Sequence, residues 1–502
     1  MAGKQRGYAH RIDIDADTTR VWRAFSVGRR ECVGESRCTY GQECFTALRR
    51  ERAQRADVVV TNHAMLAIDA IEGIPVLPEH DAVVVDEGHE LVDRATAAVT
   101  GEISVALVER ATSRGRRLLA AQSADRLQDA GDALALALAE VADEPTGGGR
   151  LVDLPAALQA ALVLVRDACH GATTELTAEK DSAPEAVAAR QQARAGLTEV
   201  HDVAVSLLGL QGTDVAWLDR DRGPLTLRIA PLSVAGLLRT ALFDRSPVVV
   251  TSATLTVGGG FDSTLRSVGL DEQDAVTVDV GSPFDYRRQA ILYVAADLPA
   301  PGRDGVAMEA LDELAELIEA AGGRTLALFS SWRGVDRAEE YLRVRLRADL
   351  PVLVQRRGDS VGTLVERFAA EPATTLLGTV SLWQGVDVPG QACVCVVIDR
   401  IPFPRPDDPL LAARQKAVDD AGGSGFRAVS VPRAGLLLAQ GAGRLIRGTD
   451  DRGVVAVLDS RLATAGYGRA LRESLPPFWY TTDRATVVGA LARLREQVTT
   501  TS

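Results

Sequence analysis

Lysine is almost missing from this chain. Of 56 basic residues only Lys4, Lys180 and Lys416 are lysines, so catalytic amines have few candidates and phosphate recognition falls to arginine, whose planar guanidinium forks onto two oxygens at once. Long apolar runs are missing too: none reaches the roughly 18 residues that a membrane helix needs. The opening Met1-Ala2-Gly3-Lys4-Gln5-Arg6-Gly7-Tyr8 lacks the apolar segment of a secretory signal, which sets the expectation of a soluble cytoplasmic protein with no membrane association. Positive charge is not in excess. A net charge of −12 and a pI near 5.2 argue against coating nucleic acid by bulk attraction, while leaving room for a channel lined locally with arginine. Cysteine is scarce, with six residues too few and too clustered for a disulfide framework. Finally, no Gly-x-x-x-x-Gly-Lys-Ser/Thr occurs in the 502 residues, so the loop that cradles nucleotide phosphates, with its lysine, is absent from them.

What is present is ordinary globular composition, 46% hydrophobic and 25% charged, in a chain long enough for about three domains. Its organising stretch is Val83-Val84-Val85-Asp86-Glu87-Gly88-His89. A valine run that stops on two carboxylates reads as a buried parallel strand delivering acids to its carboxyl end, where ligands of open α/β sheets gather. One carboxylate there can hold Mg²⁺ through water, and its neighbour can orient or deprotonate the water that attacks a phosphoryl group. The bland alternative is a strand ending in a solvated turn.

Three cysteines, Cys32, Cys38 and Cys44, fall at equal spacing with Gly34 and Gly41 between them. Thiolates placed like this can converge on one metal centre. Zinc usually takes two closer Cys pairs, which are absent, and an iron–sulfur cluster tolerates varied spacing but takes four ligands. Cluster remnant, zinc and inert thiols all remain open on spacing alone.

Along the chain, helix is expected from Phe45 and from 64 to 70, with a second apolar run at Asp57 to His63 as a partner strand for the acidic one. From 99 to about 240 long Ala/Leu/Glu/Arg tracts have helical spacing and few strands, apart from a hairpin within Trp217 to Ile229. Sheet texture returns at Val248-Val249-Val250-Thr251-Ser252-Ala253-Thr254, and a second α/β region follows with strands at 290–294, 325–329, 352–355, 374–378, 392–398 and 454–458. Its helices are expected at 307–321, 334–346, 361–370 and 433–438, with a last one at 484–498. In this region Gly378 to Gly390 forms a glycine- and hydroxyl-rich loop, and Gln440-Gly441-Ala442-Gly443-Arg444-Leu445-Ile446-Arg447 is expected to set two guanidiniums on one helical face. Such a pair stabilises charge on a transferring γ-phosphate. Trp332, Trp383, Phe403 and Phe478-Trp479-Tyr480 are aromatics on which bases can stack, although core packing suits most of them.

Taken together, Asp86-Glu87-Gly88-His89, Ser252-Ala253-Thr254-Leu255, Gln384-Gly385-Val386-Asp387 and Gln440-x-x-Gly443-Arg444-x-Ile446-Arg447 stand in the order of superfamily two helicases. With the cysteine loop, the chain resembles the DinG-like, XPD-related iron–sulfur DNA helicases over essentially its whole length. The resemblance implies an α/β fold of two RecA-like P-loop NTPase lobes, the first incomplete, with an iron–sulfur segment and an inserted helical arch. It places the cluster segment at 1–56, the first lobe at 57–98 and 244–288, the arch at 99–243 and the second lobe at 289–502. It implies ATP-driven 5′ to 3′ translocation on single-stranded and forked DNA, duplex unwinding in repair or replication, and a monomer.

By the same resemblance Asp86 holds Mg²⁺, Glu87 activates water, and His89 with Ser252 and Thr254 couples hydrolysis to lobe movement. Arg444 and Arg447 are the arginine fingers, beside Gln440 and Gly443. Gly385 and Asp387 lie in the loop linking nucleotide to DNA, and Cys32, Cys38 and Cys44 match the last three ligands of a [4Fe–4S] cluster. The missing phosphate loop and fourth cysteine lie upstream in that family, so the expectation is an N-terminally shortened chain whose own activity is in doubt. Two other readings compete: a non-catalytic single-strand-binding module, and an RNA-directed helicase of the same superfamily.

Overall fold

The computed structural model describes residues 32, 34–35, 38, 40–144, 149–178, 184–220, 223–256, 260–302, 305–371, 373–379, 382 and 392–501. The chain divides into two compact units, one built mainly from residues 93–233 and the other from 84–92, 234–244 and 248–502.

In the first unit, helices Val105–Gly115, Ala121–Asp143, Ala156–Ala178 and Pro184–Leu208 pack on an antiparallel sheet. Numbering strands along the chain, with β1 at Val83–Val85, this sheet uses β2 (Gly101–Ile103), β3 (Arg150–Leu151), β4 (Asp214–Asp219) and β5 (Thr226–Pro231) in the order β2-β5-β4-β3. The Leu127, Leu134, Leu158, Leu162, Leu176 and Leu197 side chains, each at most 2% exposed, fall at helical spacing and close the core against Leu227 and Ile229 of β5. The expected hairpin is there as β4 and β5, and the sheet is larger than the helical texture suggested. Its remaining strands are two or three residues long, too short to leave a period-two pattern.

The second unit carries two parallel sheets. The small one pairs β1 with β6 (Val248–Val250). Val83 N donates to Pro247 O and Thr251 N donates to Val85 O, so partner numbers climb together and the strands run parallel. The large sheet has seven strands: β7 (Ala290–Val294), β8 (Thr325–Phe329), β9 (Val352–Val354), β10 (Thr375–Thr379), β11 (Cys395–Ile398), β12 (Gly453–Val457) and β13 (Trp479–Thr481). Their order is β13-β7-β12-β11-β8-β10-β9, parallel at every pairing.

Alternate residues of its central strands feed opposite cores. Leu326, Leu328, Val396 and Ile398 face helix Val431–Ala442, whereas Ala327, Phe329, Cys395 and Val397 face helices Met308–Ala321, Trp332–Arg345 and Arg484–Thr501. Burial on both faces is why these strands read as continuous apolar runs. Ser331 starts one of the helices by accepting from Gly334 N at 3.1 Å, and Asp408 starts another by accepting from Leu411 N at 2.9 Å, both ordinary N-caps.

One expected strand does not form. Residues 57–62 have no strand assignment, and Val58 and Val60 are 80% and 93% exposed. A valine run forms a strand only where a neighbour satisfies its backbone.

Candidate active site

β1 ends at Val85, and the chain then turns sharply. Glu87 takes a left-handed backbone conformation, φ 51°, which is uncommon outside glycine and costs about 1–3 kcal/mol unless its surroundings hold it. Two bonds hold this turn: Glu87 N donates to Asp86 Oδ1 at 2.9 Å, and Gly88 N donates across to Thr251 O at 2.9 Å. Position 88 must be glycine, since a Cβ would lie 2.1 Å from Val250 Cγ1. The close approach of β6 therefore sets the carboxylates at the strand end, exposed to solvent.

The residues after β6 meet this turn. Ser252 Oγ lies 2.8 Å from His89 Nδ1 and 3.3 Å from Glu87 Oε2. Thr254 braces the serine through its amide at 3.2 Å and its hydroxyl at 3.3 Å. The other side of the imidazole belongs to the long helix Val431–Ala442: Gln440 Nε2 is 2.5 Å from His89 Nε2, and Gln440 Oε1 is buried without a hydrogen bond. Two nitrogens that close need one lone pair and one proton between them. The Gln440 amide N–H supplies the proton and His89 Nε2 the lone pair. That tautomer carries its proton on Nδ1, which donates to Ser252 Oγ, and the Ser252 hydroxyl donates on to Glu87 Oε2. With the His89 side chain only 8% exposed, a chain of contacts runs from Gln440 through His89 and Ser252 to the Glu87 carboxylate.

The remaining predicted residues are distributed as follows. Helix Val431–Ala442 stops at Gly443, so Arg444 and Arg447 lie beyond its end and do not share a helical face as expected. The turn is closed by Asp451, which accepts from Arg447 N at 2.7 Å and from Gly448 N at 2.6 Å. Once the carboxylate caps these amides, continuing the helix has no advantage. Gly385 and Asp387 lie outside the described residues. Cys32 is exposed and Cys38 and Cys44 are half-buried, all as free thiols. Among the described residues no group of three His, Cys, Asp or Glu side chains could share a metal ion, so the three thiols do not form a closed site. Asp86, a single hard carboxylate at an open strand end, does suit Mg²⁺, which keeps most of its waters and takes one or two protein oxygens.

Two acids went unnoticed in the sequence. Asp399 directly follows β11, as Asp86 follows β1, and Asp459 stands two residues past β12; they are 6% and 0% exposed. Burial pushes the Asp399 carboxyl up to about 6, against the pull of Arg400 and of the Ser330 N–H and hydroxyl. Asp459 accepts from Ile401 N at 2.9 Å and from Arg461 through two nitrogens at 2.9 and 2.7 Å. The signal was an aspartate closing an apolar run.

Comparison with known proteins shows the family of the chain. The chain is 50% identical over 487 residues to the ATP-dependent helicase DinG of Mycobacterium tuberculosis (strain H37Rv), covering 95% of this chain and 72% of that protein. The chain belongs to the DinG family. It is also 32% identical over 501 residues to the ATP-dependent DNA helicase YoaA of Escherichia coli (strain K12), covering 95% of this chain and 76% of YoaA. Residues 314–478 match the helicase C-terminal domain family, a span that takes in β8 to β12 and Gln440. An apo XPD structure superposes with a TM-score of 0.56 at 18% identity, over 90% of this chain and 85% of XPD, a likeness of fold. The DinG-family strands and helices thus bring Glu87, His89, Ser252, Thr254 and Gln440 together from three separated stretches of sequence.

Proposed function

We propose that this chain is the motor of an ATP-dependent DNA helicase, and the observation that carries the reading is the contact chain Gln440–His89–Ser252–Glu87. A general base that works once per step must sense more than its own strand. Glu87 reaches solvent, where a water can sit, and its carboxylate is oriented by Ser252. With Gln440 donating to His89 Nε2, Nδ1–H serves Ser252 and the Ser252 proton serves Glu87, so moving Gln440 off His89 lets the ring change tautomer and draw the Ser252 proton to Nδ1. Asp86 is the residue that would hold Mg²⁺, which supplies charge neutralisation at the phosphates. Arg444 and Arg447 provide the stabilising guanidiniums, and Gly385 and Asp387 link nucleotide to DNA. Translocation runs 5′ to 3′ on single strands leading into a fork, by a monomer.

Cys32, Cys38 and Cys44 would hold a [4Fe–4S] cluster together with a fourth ligand. An absorption band near about 400 nm in anaerobically purified protein is expected of such a cluster; colourless protein with stoichiometric zinc would exclude it. Phosphate binding likewise needs a Gly-Lys-Ser/Thr loop from outside these residues.

The test is ATP hydrolysis with single-stranded DNA. The 502 residues alone are expected at background. Fused to a segment carrying a phosphate loop, they should show DNA-stimulated turnover that Glu87→Gln lowers by roughly 10²-fold or more. Robust turnover without that segment would refute the phosphate-loop argument, and DNA binding with no turnover in the fused protein would favour a binding module.

A further inference from the structure

Phe403, Phe426 and Tyr467 meet pairwise at one end of the second unit. Ring centroids are 5.2 Å apart for Phe403–Phe426, 5.4 Å for Phe403–Tyr467 and 5.4 Å for Phe426–Tyr467. Phe403 follows β11 and Arg461 follows β12, neighbouring parallel strands, so both stand at the carboxyl edge where ligands of such sheets bind. The guanidinium of Arg461 sits 5.8 Å over the Phe403 ring and is itself fixed by buried Asp459. Phe426 arrives from elsewhere. It opens a π-helical turn, Phe426–Ser430, a rare form that concentrates at functional sites.

That turn is pinned on both sides. Gly425 packs so tightly that a Cβ would lie 2.2 Å from Gln415 O, its amide donates to Asp419 at 2.7 Å, and Gln415 Nε2 donates to Ser430 Oγ at 2.7 Å. The fixed backbone leaves Phe426 39% exposed, next to exposed Arg427. An exposed, rigid aromatic backed by two rings and flanked by arginine is the composition of a single-strand stacking site.

We propose that Phe426, backed by Phe403 and Tyr467, is a stacking platform for a base of single-stranded DNA. The proposal rests on the DNA-motor reading above. From Gly425 the helix continues without a break to Ala442, which puts Phe426 and Gln440 near opposite ends of one rod, about 21 Å apart at the usual rise. A base seated on Phe426 therefore loads the same helix that contacts His89.

The experiment is fluorescence anisotropy with a labelled oligo-dT. Phe426→Leu keeps the apolar packing but has no ring face, so it should retain the thermal unfolding midpoint and bind about tenfold more weakly, about 1.4 kcal/mol. Tyr480→Ala removes another exposed aromatic, 42% exposed and paired with Arg472, and should change affinity less than twofold. Phe426→Trp should bind as the wild type does, with its added emission quenched on saturation. Wild-type affinity in Phe426→Leu, or an unquenched Phe426→Trp complex, overturns the platform. No binding by the wild-type chain overturns the DNA reading itself, and the platform with it.

Discussion

The two parallel sheets of the second unit are made from the same kind of sequence and end in opposite situations. Leu376, Val396 and Val455 of the seven-stranded sheet are 0% exposed, whereas Val84 and Val249 of the two-stranded sheet are 71% and 59% exposed. Farther along, Val276, Val278 and Val280 alternate with polar residues in strand fashion, yet all three are more than half exposed. A valine run specifies extended backbone, and neighbours decide whether it is covered. The large sheet is a finished core. In the small sheet the turn that carries the acid pair is held by Gly88 N donating to Thr251 O and by Ser252 Oγ donating to Glu87 Oε2.

The largest effect separating the sheets should come from emptying the finished core. Leu376→Ala removes a fully buried side chain among Leu326, Phe368 and Leu382 and should cost about 3 kcal/mol by urea titration of the unit's unfolding. A loss below about 1 kcal/mol would mean that the large sheet is no better packed than the small one.

A second effect depends on pH and tests the buried carboxyl edge of the large sheet. The folded Asp399 carboxyl titrates at about 6, above its ordinary value near 3.9. Between those values the native state binds more protons than the unfolded chain, so this group's contribution to stability falls as pH rises through the window and is level above it. Wild type should therefore gain on Asp399→Asn by about 2 kcal/mol between pH 7 and pH 4.5. Stability curves that run parallel over that range would remove the claim.

Hydrogen exchange should order the sheets the same way. Amides of β8 and β11, flanked by strands on both sides, should be protected to near the global limit, and those of β1 and β6 by less. Equal protection would show that two strands suffice here.

Much of the large sheet was legible because strands covered on both faces are apolar throughout. The expected limits at Ala290–Val294 and Thr325–Phe329 are those of β7 and β8. The edge strand β13 was missed, since Trp479 and Tyr480 are 49% and 42% exposed and a short half-wet strand carries no distinctive pattern. At the site, the motif residues could be named from sequence but not their contacts. His89 and Gln440 are 351 positions apart, and no local pattern reports such a meeting. The left-handed Glu87 was equally hidden, because the constraint belongs to Gly88 and Val250. Arg444 and Arg447 were misread for a similar reason: their spacing is helical, but Asp451 caps the turn before the helix reaches them.

The smallest predicted effect is the most discriminating. Val84→Thr and Val249→Thr exchange exposed methyls for hydroxyls on a face that packs little in this chain, so each should change stability by less than about 0.5 kcal/mol. In a protein fused to a phosphate-loop segment, a strand and helix laid on β1 and β6 would bury those positions, and the same hydroxyls would then lack partners. The cost should rise to about 1–3 kcal/mol per site. A substitution that is neutral in this chain and costly in the fused protein would show that the added segment packs on the exposed valines. Neutrality in both would leave the small sheet as a self-sufficient ledge for Asp86 and Glu87.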